Sequence, residues 1–458
     1  MEQTQDPAHK SAFLGRDAIF PLLLKMGIPA AVGMLVNALY NIVDTIFVGQ
    51  GVGPLAIAAL SIIFLLQMIV SALAQAIGVG SASIVSRRLG EKKEEDAAKT
   101  IGTAYATIAV VTALLVILIL VFMEPILRFF GASGAVMPYA LEYAYIVAPG
   151  FFFFAASMAA SSLVRAEGNA KASMNGMLIG ALLNCVLDPL FIFGFNMGVA
   201  GAALATVISQ MTSCAFLFSL YFRKKTHIPL SRSHFKINPA ILRESALLGT
   251  PAFIQSSGMS LLALIINTSL GRYGGDQAIT IYGMTHKVIM LVIFPLLGIV
   301  QGFQPIVGYN YGARHYDRVR KALRVTIMTV TGIALFFYAG LMLFPSFAAR
   351  MFVTDEGLIA SSARVLRIIA LFIPLAALQI VGANYFQAIG RKTPSLILGL
   401  SRQFLILIPL VLILPRFLGV DGIWFAFPTA DLISASVTIT FLLREIRHLG
   451  DKHAAGSA

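Results

Sequence analysis

IPAAVGMLVNALYNIVDTIFVGQGVG, residues 28–53, and TPAFIQSSGMSLLALIINTSLGRYGG, residues 250–275, decide the fold, because both are long apolar runs and the second repeats the first. Their alignment pairs Pro29 with Pro251, Gly49 with Gly271 and Gly53 with Gly275, each at an offset of 222. The same offset pairs Gly80 with Gly302, Gly90 with Gly312 and Gly168 with Gly390, and after a one-residue slip Gly198-Val199-Ala200-Gly201 meets Gly419-Val420-Asp421-Gly422. A repeat of this length with one gap marks one architecture used twice.

The solvent for that architecture is a bilayer. The chain has 458 residues, of which 58% are hydrophobic and 12% charged, about half the ~25% charged share of soluble domains. Apolar runs of about 20 residues, enough to cross a ~30 Å hydrocarbon layer as helix, recur throughout. Twelve spans are expected, at 20–49, 55–80, 101–123, 136–163, 172–194, 198–222, 245–271, 277–309, 322–345, 358–388, 394–415 and 419–443. The polar start and the length of the first apolar stretch do not fit a cleaved signal peptide. Cys185 and Cys214 both fall in apolar runs, so neither a disulfide framework nor a thiolate metal site is indicated.

The net charge of +13 follows topology. Alternate connections hold 25 Lys and Arg on one side and four on the other, namely Arg128, Arg272, Arg350 and Arg416. The positive-inside rule then places both termini in the cytoplasm, which requires an even number of spans. These charges sit in short loops without the interleaved aromatics of a stacking platform, so no nucleic-acid partner is expected.

The expected fold is all-α and integral to the membrane, with twelve transmembrane helices in two pseudo-symmetric six-helix bundles. It divides into a cytoplasmic N-terminal segment (1–19), a first lobe (20–222), a cytoplasmic linker (223–244), a second lobe (245–443) and a cytoplasmic tail (444–458). Six spans per half give both halves the same orientation, the parallel repeat of some transporters, with substrate handled between the halves.

Acidic residues inside spans are costly and are functional candidates by default. Asp44 and Asp188 precede the glycines that end their spans, Gly49 and Gly194, by five and six residues, so both carboxylates sit roughly 8–9 Å from the same surface. Asn184 lies one turn before Asp188, and Thr206 enters from the next span at a comparable level. Pro189 has no amide hydrogen and frees the carbonyl of Cys185. Such a hard-oxygen set suits a small cation such as Na⁺, while two close carboxylates can instead share one proton. At the 222 offset Ile266 replaces Asp44 and Leu410 replaces Asp188, so this site belongs to the first half alone.

The second half carries Lys287, Arg364, Arg367 and Arg402, together with Asp431. Arg402 and Asp431 reach similar depth on neighbouring spans, and a structural ion pair is expected because charges in membranes tend to pair. Lys287 lies near mid-membrane and could face a central cavity. Met174, Met177, Met259 and Met284, with the aromatic run after Pro149, could line an adaptable apolar pocket or simply pack against lipid.

YNIVDTIFVG around Asp44, NCVLDP around Asp188 and GVAGAALATVISQ resemble the multidrug and toxic compound extrusion (MATE) family. QGFQPIVGYNYGAR and FLGVDGIWFAFPTADLIS are similar to its MepA-like, DinF-related bacterial branch. The resemblance covers nearly the whole chain. It implies export of amphipathic or cationic small molecules by alternating access against inward H⁺ or Na⁺. It also implies that Asp44, Asn184, Asp188 and Thr206 form a cation site, joined by Tyr143. The NorM-like branch carries acids in its seventh and tenth helices; here the seventh has Gln255 instead and the tenth has no acid, so Gln255 joins Lys287, Met177, Met259 and Met284 as candidate cavity residues. The expected setting is a bacterial inner membrane, with a monomer, no enzymatic activity and no cofactor beyond the coupling ion. A lipid-linked precursor flippase of the same superfamily is the alternative, and basic cavity residues such as Lys287 would suit it.

Overall fold

The computed structural model describes residues 11–223, 226–352 and 355–456. Lys10, Lys224 and Lys225, which contribute to the loop charges, lie outside the described residues. Helix dominates, as the apolar runs require, since a backbone in hydrocarbon must satisfy its own polar groups. The long helices are α1 (Ile19–Gly51), α2 (Pro54–Gly90), α3 (Glu94–Val121), α4 (Met137–Ala166), α5 (Ala170–Gly194), α6 (Gly198–Phe222), α7 (Pro239–Gly312), α8 (Tyr316–Leu343), α9 (Glu356–Ala370), α10 (Ile373–Ala388), α11 (Lys392–Leu418) and α12 (Val420–Gly456).

Ten of these are each long and apolar enough to cross a membrane, counted among the described residues. α9 and α10 supply an eleventh crossing as a pair bent by 46°. Pro374, at the start of α10, cannot continue the helix that precedes it. The 74-residue α7 is two helices meeting at Gly275, whose φ of 65° and ψ of −166° interrupt the helix. Twelve crossings result, as the hydropathy pattern predicts.

Local signals place the ends. Asn169 accepts from the Ala172 amide at 3.2 Å ahead of α5, and Asp355 from the Leu358 amide at 2.7 Å ahead of α9, each satisfying one of the orphan donors of a helix start. The repeat extends to backbone conformation. Left-handed turns recur in register at Gly53 and Gly275, Gly168 and Gly390, Gly198 and Gly419, and even at the non-glycine pair Lys92 and Arg314, both with φ 60°.

Two compact units form, residues 1–16 with 32–256 and residues 17–31 with 257–458. Each unit therefore takes the N-terminal part of one long helix, α1 or α7, from the other half of the sequence. In the first unit the N-terminal part of α7 lies on α2 so closely that a Cβ on Gly249 would stand 1.8 Å from the Ala76 carbonyl oxygen, and one on Gly80 would stand 2.0 Å from that of Ser245. Polar contacts run along the same seam: Ser81 Oγ to Ser245 Oγ at 3.0 Å and Arg87 Nη2 to Glu244 Oε1 at 3.0 Å. In the second unit a Cβ on Gly302 would stand 2.4 Å from the Gly27 nitrogen. Gly27 and Gly249, like Gly80 and Gly302, are partners at the 222 offset, so one crossing is built twice.

The segment after α6 is strapped to the first unit. Glu167 is 1% exposed; its Oε1 accepts from the Tyr221 hydroxyl at 2.9 Å and its Oε2 from the His227 amide at 2.9 Å and the Ile228 amide at 3.4 Å. Burial pushes its carboxyl up to about 7, against the lowering effect of those donors. His234 Nε2 meets Glu95 Oε1 at 3.3 Å, and Thr103 Oγ1 donates to the Lys236 carbonyl at 3.0 Å.

Candidate functional site

Four helices of the first unit converge on one group of oxygens. α5 brings Asn184 and Asp188 onto one face through their four-residue spacing, and Asn184 Nδ2 donates to Asp188 Oδ1 at 3.1 Å. Both are buried, at 2% and 0% exposure. α1 brings half-buried Asp44 to hydrogen-bonding reach of the Asp188 carboxyl. α4 contributes Tyr143, buried, with its hydroxyl near Thr206 of α6. Asp44, Asn184, Asp188, Thr206 and Tyr143 are thus brought together by the fold.

The site also includes Tyr40, which the sequence pattern did not single out. It lies within electrostatic reach of Asp44 and Asp188, one helical turn before Asp44 just as Asn184 is one turn before Asp188. That shared four-residue spacing was the available signal.

The chemistry of the group is unbalanced. Asp44 Oδ1, Asn184 Oδ1 and Asp188 Oδ2 are buried and receive no hydrogen bond from any of the described residues. Buried polar atoms are nearly always paired, so three orphaned acceptors in one place require an explanation. Two carboxylates within reach of each other repel as anions and attract only through a shared proton or an intervening cation. The donor set offers carboxylate, amide and hydroxyl oxygens, the ligand type of hard cations. Beyond Pro189 the helix continues as a π turn, Leu190–Gly194, in which the Phe195 amide reaches back to the Leu190 carbonyl at 3.0 Å.

The repeat-related positions in the second unit carry none of this. Tyr40, Asp44, Tyr143, Asn184 and Asp188 correspond at 222 to Leu262, Ile266, Val365, Ile406 and Leu410, and Thr206, after the slip, to Phe427. Ile266 and Val365, at 0% and 4% exposure, belong to one buried hydrophobic cluster, and the other four are partly buried and pack against it. Where one unit gathers oxygen, the other packs hydrocarbon.

The remaining candidates are dispersed. Arg402 Nε donates to Asp431 Oδ1 at 2.5 Å, joining α11 to α12. Arg364 pairs with Asp421 at 2.9 Å, and Arg367 donates to the Met342 carbonyl at 3.2 Å. Lys287 is exposed, without an ion pair among the described residues. Met177 and Gln255 belong to the first unit, while Met259, Met284 and Lys287 belong to the second. Met177 packs on Gly33, Gln255 and Met259 are exposed, and Met284 is buried at 8% exposure.

A family model described as MatE matches residues 29–190 and 251–413, two segments that start at the same offset as the glycine pairs. Multidrug export protein MepA of Staphylococcus aureus (strain NCTC 8325 / PS 47) is 26% identical over 437 residues, spanning 94% of this chain and 96% of the relative. A crystal structure of MATE in the bent conformation superposes with a TM-score of 0.91 at 28% identity, covering 97% of this chain and 99% of that one. A multidrug resistance MATE family transporter of the MOP superfamily, in an outward-facing conformation, matches with a TM-score of 0.89 at 28% identity, over 96% of this chain and 98% of the other.

Proposed function

The chain belongs to the MatE family, a set of multi-pass membrane transporters, and from that premise we propose that it exports amphipathic or cationic small molecules in exchange for H⁺ or Na⁺ bound at Asp44 and Asp188. The observation that carries this reading is the cluster of three buried oxygens without donors on Asp44, Asn184 and Asp188. A cation entering there pulls the two carboxyls together and relieves their mutual repulsion. Because Asp44 sits on α1 and Asp188 on α5, ion binding is felt as a change in how α1 packs within the first unit. A ligand biases a conformational equilibrium only through its different affinity for the two states. Here that difference lies in whether α1 presents Asp44 to Asp188. Alternating access then follows from the ion favouring one position of α1, with the substrate leaving when that position is taken. Small-molecule export fits the activity named for the MepA relative, and the bacterial inner membrane with cytoplasmic termini fits the loop charges.

Purified protein in proteoliposomes, with pH and Na⁺ gradients imposed separately, tests this directly. Efflux of a cationic dye should follow one of the two gradients and vanish when both are collapsed. Dye movement indifferent to both gradients, or translocation of a lipid-linked precursor in place of dye, overturns the reading.

A further inference from the structure

Arg402 combines a fixed head with unused donors. It is the second residue of a seven-residue π turn in α11, Ser401–Leu407, where the Ile408 amide bonds back five residues to the Gln403 carbonyl. Pro409 follows, with no amide hydrogen to continue an ordinary helical ladder. Single π turns within α-helices are concentrated at functional sites, and an arginine at membrane depth is costly enough to need a use.

Asp431, at 1% exposure, holds the guanidinium from the protein side through one contact, Nε to Oδ1. A guanidinium has five N–H donors in a planar fork. No other hydrogen bond to Arg402 is found among the described residues, and 26% of its side chain is exposed, against 2% for Asp431. The terminal Nη1–Nη2 edge is therefore oriented by a buried partner yet makes no hydrogen bond among the described residues. Near it lies an aromatic group: Phe427 is one helical turn before Asp431 on α12, and the Tyr282 ring centroid is 6.0 Å from that of Phe427 and 5.6 Å from that of His286.

We propose that the free edge of Arg402 recognises an oxyanion, a carboxylate or phosphate group, carried on a flat apolar body that rests against Tyr282 and Phe427. Asp431 is the positioning residue. The inference deepens the export reading, on which it rests for how such a molecule arrives, by adding an anion-recognising contact in the second unit. Two opposing sign effects identify it. Removing the guanidinium removes the fork that matches two oxyanion oxygens. Replacing Asp431 with Asn keeps an oxygen acceptor for Nε but removes a negative charge that repels the incoming anion, so binding should strengthen. A purely structural pair moves neither.

The full chain in phosphatidylcholine nanodiscs is titrated with 1-pyrenebutyrate and, in parallel, with neutral 1-pyrenebutanol. Wild type should prefer the carboxylate by about tenfold, the increment of one charge-assisted bidentate contact. The double variant Arg402→Gln/Asp431→Asn, which leaves no lone buried charge, should bring the two probes to equal affinity. Asp431→Asn alone should raise the carboxylate preference. Equal affinities in wild type, a preference surviving in the double variant, or an unchanged preference in Asp431→Asn overturns the proposal. Repeating the titration with phosphatidylglycerol added separates two sources of the same chemistry: competition assigns the site to an anionic headgroup, and its absence to a free amphipath. Carboxylate preference without ion-driven efflux would sink the export reading alone, and efflux without preference would sink this one alone.

Discussion

Asp188 is the most enclosed member of the candidate ion site, at 0% exposure with one oxygen held by Asn184 and the other without a donor. Asp188→Asn supplies its own donor to that environment and removes the charge a cation needs. Gradient-driven efflux in proteoliposomes should fall to background in Asp188→Asn and in Asp44→Asn, with unchanged yield of folded protein. On the proposal that the two carboxyls act on one ion, the double variant should be no worse than either single one, the non-additivity expected of groups that work as a unit. Efflux retained by both single variants would sink the mechanism. Glu167 gives a second test, read in stability. Its buried carboxyl is raised to about 7 from the usual 4.5, so between those values the folded chain holds a proton that the unfolded chain has released. Stability therefore falls as pH rises through that window, by about 3 kcal/mol for a shift of this size. The melting temperature of Glu167→Gln should fall less between pH 5 and pH 8 than that of wild type. Parallel slopes would show that Glu167 does not titrate there.

Among the helices, α1 and α7 set the architecture by contributing to both units. The contact that admits α7 onto α2 depends on Gly80 and Gly249, where an added Cβ would meet backbone atoms that cannot swing away. Overpacking a close-packed contact typically costs about 1–3 kcal/mol, and backbone obstacles belong at the upper end. Gly249→Val should lower the thermal midpoint in detergent and reduce the folded yield, while Gly283→Ala on the same long helix, with nothing within 4 Å of an added Cβ, should be close to silent. Equal effects would mean that the crossing is looser than its geometry implies. The helices themselves were legible in the sequence, because length and apolarity are enough to mark a span. The kink at Gly275 was legible as well, from its pairing with Gly53 across the repeat. The exchange of helix segments between units was not, since hydropathy reports which residues avoid water and not which neighbours they choose.

Over the whole chain, one fold is used twice with unequal chemistry. The candidate ion site of the first unit is matched in the second by Ile266 and Val365, buried in one hydrophobic cluster, and by Leu262, Ile406, Leu410 and Phe427 packed against it. Leu410→Asp should therefore destabilise the protein, since an ionised carboxylate in that cluster has no partner to offset its desolvation. It should not add a second coupling ion: the ratio of ions taken up to dye expelled should stay at its wild-type value in whatever protein folds. A raised ratio would show that either half can host the ion.

Read alone, the sequence determined the membrane, the twelve crossings, the repeat and the identity of most acidic and polar candidates, because each rests on local composition or on spacing along one helix. Asp44 and Asp188 could be placed at a common depth by counting residues from Gly49 and Gly194. Only the tertiary structure decided that they face each other, that Tyr40 joins them, that Glu167 clasps the segment after α6, and that Asp431 leaves one edge of Arg402 free. Those facts depend on the rotation of each helix about its axis and on its choice of neighbours. Both are settled by side-chain packing between distant parts of the chain, which no periodicity within a single span encodes.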